Sequence, residues 1–179
     1  QPSASIPFTF TSDDRYGGYN RAYNVAGYLD GGVATDAYIG QLTVVEDDPL
    51  PRMKVSVVRP LVTEGDDIVV RVRLSEPMAT LGWFDLGFVK TPGRYLLVKD
   101  VRFKHPKQFK ADKPLWVYRS YAMTKMLRSG RSTFDFVLPT RIDRVREGIE
   151  RAKVRVTFNT DSGPVRREVL VRVKDRARR

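Results

Sequence analysis

The chain has 179 residues, of which 41% are hydrophobic, enough for a packed core and too many for wholesale disorder. No cysteine is present, which excludes a disulfide scaffold, thiolate metal centres and a cysteine nucleophile. The 32 Lys and Arg against 21 Asp and Glu give a net charge of +11, a surface that attracts polyanions or is simply well solvated.

The first residues, Gln1-Pro2-Ser3-Ala4-Ser5, carry neither the basic start nor the apolar stretch of a signal peptide. Five tyrosines follow, Tyr16, Tyr19, Tyr23, Tyr28 and Tyr38, around a turn at Asp30-Gly31-Gly32. The strand-like Leu42-Thr43-Val44-Val45 then runs into Glu46-Asp47-Asp48 and Pro49-Leu50-Pro51. Proline ends strand pairing and stiffens a linker, so a domain boundary is expected at 49–51, with a second domain from Arg52.

Beyond it, apolar and polar residues alternate at Lys54–Val58, Ile68–Leu74, Lys153–Phe158 and Arg166–Val173. Period two with β-branched enrichment predicts half-buried strands, and outward arginines keep such strands soluble. Turns are predicted at Glu64-Gly65-Asp66-Asp67, Thr91-Pro92-Gly93, Ser129-Gly130 and Asp161-Ser162-Gly163-Pro164. Short strands with such turns imply an all-β, antiparallel, immunoglobulin-like sandwich. One helical turn is predicted at Tyr121–Leu127, where Met123, Met126 and Leu127 are spaced as on a helix face. No apolar run approaches the roughly 20 residues that span a bilayer, so no transmembrane segment is expected.

The end of the chain echoes its beginning. Phe8-Thr9-Phe10, Asp14-Arg15, Arg21-Ala22 and Val25 recur as Phe134-Asp135-Phe136, Asp143-Arg144, Arg151-Ala152 and Val154. Both series reach a glycine turn and an alternating strand that closes on acid. An internal repeat follows, in which residues 1–48 are the last strands of a preceding unit and 52–179 a complete one. A hairpin alone is marginal in water, so residues 1–48 must dock on the second domain, pair with another copy as a strand-swapped homodimer, or take strands from elsewhere.

Catalytic chemistry finds little support. His105, the lone histidine, sits in the polar turn Lys104-His105-Pro106-Lys107 with no nucleophile–acid pattern around it, and no phosphate-cradling glycine loop is present. Trp83, Phe84, Trp116 and Tyr118 read either as sandwich core or as a sugar-stacking platform. Lys104, Lys107, Lys110 and Lys113, spaced every three residues, are candidate contacts for an acidic polysaccharide or other polyanion.

Two passages carry a family resemblance. One is Leu42–Pro51 followed by Val55-Ser56-Val57, Val62-Thr63-Glu64-Gly65-Asp66 and Val70–Ser75: a closing strand, an acidic cluster, a proline linker, a first strand and a Glu-Gly turn. The other is Asp143–Glu150 leading into the strand from Ala152 to Phe158. Together they resemble the junction and acidic loop of tandem Calx-beta repeats, whereas Lys104–Lys113 departs from that pattern. The resemblance implies a sandwich module of a secreted or cell-surface protein, non-catalytic, serving adhesion, spacing or binding beside further repeats of the same parent. An alternative is an accessory carbohydrate- or polyanion-binding module of a secreted enzyme. The resemblance also implies either no cofactor or weakly bound calcium, with Glu64, Asp143, Glu147, Glu150 and Asp175 as ligands of the second domain and Glu46, Asp47 and Asp48 closing the first. Several carboxylates must converge to hold a hard cation. Arg144, Lys174 and Arg176, adjacent to these acids in sequence, favour the alternative that the acids pair with neighbouring cations.

Overall fold

The computed structural model describes residues 7, 9, 15–17, 21–27, 37–45, 47–102, 110–117, 122–143 and 145–176. The alternating segments become strands: β1 Arg21–Gly27, β2 Ala37–Val44, β3 Met53–Val57, β4 Leu61–Thr63, β5 Asp67–Leu74, β6 Gly82–Val89, β7 Met123–Leu127, β8 Thr133–Pro139, β9 Ile149–Asn159 and β10 Val165–Lys174. Two of them, β1 and β2, form a separate antiparallel hairpin. The rest form two sheets, β4-β10-β9-β6-β7 and β3-β5-β8, packed face to face as an immunoglobulin-like sandwich.

One pair departs from the antiparallel rule. β4 runs parallel to β10, with Val62 beside Val173. The cause lies in Arg59-Pro60. Before it, β3 pairs with β5; proline has no N–H to continue that ladder, and the chain crosses to the larger sheet as β4.

Alternation builds the core. Glu150, Ala152, Val154, Val156 and Phe158 of β9 face inward, while the intervening residues face solvent. Val70, Val72 and Phe136 of the smaller sheet meet Phe84, Leu86 and Phe158 of the larger. Each such side chain contributes about 1.5–3 kcal/mol by leaving water. Phe84 stacks on Phe158 at 4.5 Å and tilts against Phe134 at 4.8 Å, an aromatic run at one end of the sandwich. Phe84 is therefore core, whereas Trp83, next in the chain, faces solvent on the larger sheet. Trp116 packs against the core edge, and Tyr118 lies outside the described residues.

Residues before the prolines reach this core. Tyr16 is 6% exposed, sits edge-on to Phe158 at 6.2 Å, and its carbonyl accepts a hydrogen bond from the Ala79 N–H at 3.1 Å. Leu50, within the proline segment, also packs against it. Tyr23 is exposed, Tyr19 and Tyr28 lie outside the described residues, and of Tyr38 only the backbone is described. Phe8, Phe10 and Asp14 of the internal echo likewise lie outside them.

The predicted helical turn at Tyr121–Leu127 is instead strand β7, paired with β6 from Gly82 to Leu86. Met123 and Leu127 are four apart, a spacing that shares one face of a strand as well as of a helix. Met126 separates the alternatives: it lies on the outer face, directly opposite Trp83. The open edge of β6 decides the conformation, because its unpaired backbone groups need partners.

Candidate functional site

The end of the sandwich opposite the aromatic run is acidic. Its first element is the turn between β4 and β5. Gly65 takes φ 89°, which only glycine adopts without strain, and a Cβ there would lie 2.6 Å from Ile142 Cγ1. The Gly65 N–H donates to Thr140 Oγ1 at 2.8 Å, and that hydroxyl donates to the Asp66 carbonyl at 2.7 Å. Thr140 thereby ties the turn to the exit of β8 and leaves Glu64 buried against the core.

The second element is the loop from β8 to β9. Asp143 accepts from the Val145 N–H at 2.8 Å and so turns the loop back on itself. Asp175, just past β10, accepts from the backbone N–H groups of Glu147 at 3.1 Å and Gly148 at 3.0 Å. This clasp turns Glu147 inward. Glu150, the second residue of β9, takes an inward position in line with Ala152 and Val154 and is 3% exposed.

A third element lies outside every passage that carried the resemblance. The segment Leu96–Val101 enters between the other two, held by the Arg141 N–H donating to the Asp100 carbonyl at 2.7 Å. It buries Asp100, whose carboxylate accepts from the Leu97 N–H at 2.6 Å. It also delivers Lys99. The ammonium donates to Glu147 Oε1 at 3.1 Å and Asp143 Oδ2 at 3.4 Å, and lies 3.9 Å from Asp100 Oδ1.

Oxygens of Glu64, Asp143 and Glu147 lie within 4.8 Å of one another, as do those of Asp100, Glu147 and Glu150. Glu147 belongs to both groups, and its Oε2 is buried with no hydrogen-bond partner. Burial, then repulsion from Asp100 and Glu147, pushes the Glu150 carboxyl up to about 8. Burial likewise pushes Asp100 up to about 6 and raises Glu64. The hydrogen bond to Glu147 holds the Lys99 ammonium above its ordinary range. Burial, which disfavours the charged form, is the first cause of the raised pKa at all three acids, and repulsion among the neighbouring carboxylates adds to it.

The structure thus draws Glu64, Asp143, Glu147 and Glu150 together, with Asp175 as the clasp of the loop. Among the described residues, Asp47 and Asp48 belong to neither converging group, and Glu46 lies outside them. Among the described residues, the ion pairs of these acids are all to Lys99. Lys174 faces the outer side of β10, Arg176 reaches Glu64 through its backbone N–H at 3.5 Å, and Arg144 lies outside the described residues. Sequence reasoning missed Lys99 and Asp100. For Asp100 the signal was parity: Leu96, Val98 and Asp100 step by two and are all buried.

Calcium takes six to eight oxygens at 2.3–2.6 Å, so its ligand atoms lie no more than about 5 Å apart. The spacing, the all-carboxylate donor set and the orphaned Glu147 Oε2 fit such an ion, provided that Lys99 withdraws. Of the four lysines expected to contact polyanions, Lys110 and Lys113 are exposed, and Lys104 and Lys107, with His105, lie outside the described residues.

The sequence matches no family model and no curated protein. Among solved structures the fold is similar to the apo form of a Calx CBD1 domain, at 14% identity over 70% of this chain and 98% of that one, with a TM-score of 0.40. It is also similar to AggA, the major subunit of an Escherichia coli aggregative adherence fimbria, at 15% identity over 70% and 96%, with a TM-score of 0.36. Domains 4 and 5 of the S-layer protein SbsC match at 12% identity over 79% and 62%, with a TM-score of 0.33.

Proposed function

We propose that this chain is a non-catalytic sandwich module of a secreted or cell-surface protein, and that its acidic end takes calcium weakly in exchange for the Lys99 ammonium. The observation that carries the cation reading is Glu147 Oε2, buried without a donor where two groups of carboxylates meet. Calcium would supply positive charge to Glu64, Asp143, Glu147, Glu150 and Asp100. Lys99 would swing out through its exposed third. Its departure breaks its ion pairs with Glu147, Asp143 and Asp100, and that cost keeps the affinity low.

The same burial supports a non-catalytic role. Glu150 and Asp100 have the raised pKa values of general acids, yet they are 3% and 4% exposed and face the core. A general acid must come within hydrogen-bond reach of its substrate.

Calcium titration of the metal-free protein tests the cation reading. At calcium ten times a millimolar Kd, linkage gives about 1.4 kcal/mol, or a rise in melting temperature of about 3–6 °C for a chain of this size. No shift with calcium, together with no heat of binding, overturns it.

A further inference from the structure

The outer face of β9 and β10 holds a second concentration of charge, of opposite sign. Alternation turns Arg151, Lys153 and Arg155 of β9 and Arg166, Arg172 and Lys174 of β10 away from the core. Glu168 is the sole outward acid on these two strands. Its carboxylate is taken by Lys153 at 2.8 Å and Arg155 at 2.7 Å. Arg151, Arg166, Arg172 and Lys174 form no ion pair among the described residues. Arg151 stands directly opposite Arg172 in the ladder. Like charges so placed destabilise a sheet, so fold stability does not account for them. From Arg166 to Lys174 the track runs about 27 Å, at about 3.4 Å per residue.

We propose that this face binds a linear anionic polysaccharide lying along the two strands. Charge complementarity is the first support: cations recur about every 7 Å along β9, at Arg151, Lys153 and Arg155, and stand at both ends of β10, Arg166 at one and Arg172 and Lys174 at the other, so an extended polymer with regularly spaced carboxylates or sulfates meets positive charge along its length. A flat sheet face does not enter a duplex groove, as major-groove readout requires. Single-stranded nucleic acid is held by aromatics interleaved with cations, and no aromatic faces outward on β9 or β10. A sugar has a further contact instead. Trp83 of β6 is exposed beyond the Arg166 end of the track, opposite Asn159. The Asn159 amide is oriented by Asp85, to which it donates at 2.6 Å. An indole face beside a fixed amide suits a sugar ring, and a polyphosphate would use neither. The track does not depend on calcium at the acidic end, so it is tested in EDTA.

The experiment measures binding of the full chain to polygalacturonate and to heparin as salt is raised. Binding to either is expected to weaken steeply with salt. The double variant R151E/R172E is expected to bind about tenfold more weakly near physiological salt and to show a shallower salt slope. Its melting temperature should not fall, because neither arginine has an acid partner; R151Q/R172Q covers the case in which the reversed pair folds poorly. W83A should weaken binding about threefold and leave the salt slope unchanged. The control K54E/R73E makes the same charge change on the other sheet, where these residues are also opposite each other. Equal loss in the control would reduce the effect to net charge and overturn the site. Tighter binding to duplex DNA or polyphosphate than to both polysaccharides, or no binding by the wild type, would overturn the ligand class.

Discussion

Replacing Lys99 by methionine tests the electrostatic logic of the acidic end most directly. The substitution keeps an unbranched apolar stem and deletes the ammonium. Glu147 and Asp143 then lose donors at 3.1 Å and 3.4 Å. Hydrogen bonds to charged groups are worth about 1.5–3 kcal/mol each. Lys99 is 33% exposed, and solvent screens part of this, which leaves a net loss of about 1–3 kcal/mol. In EDTA at pH 7 the variant should therefore melt about 3–10 °C below wild type. In calcium the deficit should shrink. Wild type must break the three Lys99 ion pairs to admit the ion, whereas the variant has none to break. Since 1.4 kcal/mol is tenfold in affinity, K99M should bind calcium about tenfold more tightly. Thermal melts in EDTA and in calcium, with titration calorimetry, read both effects. A variant no less stable in EDTA, or one that gains no more from calcium than wild type does, would show that the Lys99 ammonium neither balances these carboxylates nor competes with the ion.

Stability should also depend on pH through Glu150. Its folded pKa of about 8 exceeds the ordinary 4.5, so the fold holds an extra proton between those values, and stability falls as pH rises through that window. The fall should be about 2–4 kcal/mol between pH 5 and 9, with Asp100 adding its share near pH 6. Glu150→Gln should flatten the profile in melts across that range and stabilise the protein at pH 8.5. Gly65→Ala should cost about 2–4 kcal/mol by denaturant unfolding, because it combines a φ of 89° with a Cβ 2.6 Å from Ile142. Tyr16→Ala should cost about 2–4 kcal/mol and speed proteolysis between β2 and β3, since the ring caps Phe158. Proteolysis at an unchanged rate would show that Tyr16 does not hold the N-terminal segment on the sandwich.

Much of the fold was legible because strand alternation is a strong signal wherever one face is buried. β9 follows the pattern from Lys153 to Phe158, and β10 from Val169 to Val173, whereas Arg166, Arg167 and Glu168 before it are all exposed. β7 was not legible, because Met123 and Leu127 share a face in either conformation and the choice rests on the edge of β6, distant in sequence. The three residues of β4 are too few to show a period, and their parallel pairing follows from where Pro60 sends the chain. At the acidic end, the acids stood in turns whose pattern could be read. Lys99 and Asp100 come from the part of the chain where the family likeness fails, and parity alone placed Asp100 among the core valines.

The net charge of +11 argues against cation binding only if charge is evenly spread, and the strands prevent that. Glu150 and Arg151 are neighbours in the chain and stand on opposite faces of β9; the same holds for Val173 and Lys174 on β10. Residues adjacent in sequence therefore do not neutralise one another here. Alternation sends the cations to the outer face, while the turns gather Glu64, Asp100, Asp143, Glu147, Glu150 and Asp175 at one end. Among the described residues, no ion pair joins the outer track to the buried cluster. The ammonium that does offset it belongs to Lys99, more than forty residues from Asp143 in sequence but 3.4 Å from it in the fold. Two binding surfaces of opposite sign can thus coexist in one small basic sandwich. Their independence has a consequence: calcium should leave the polysaccharide affinity unchanged, and reversing Arg151 and Arg172 should leave the calcium-induced rise in melting temperature intact.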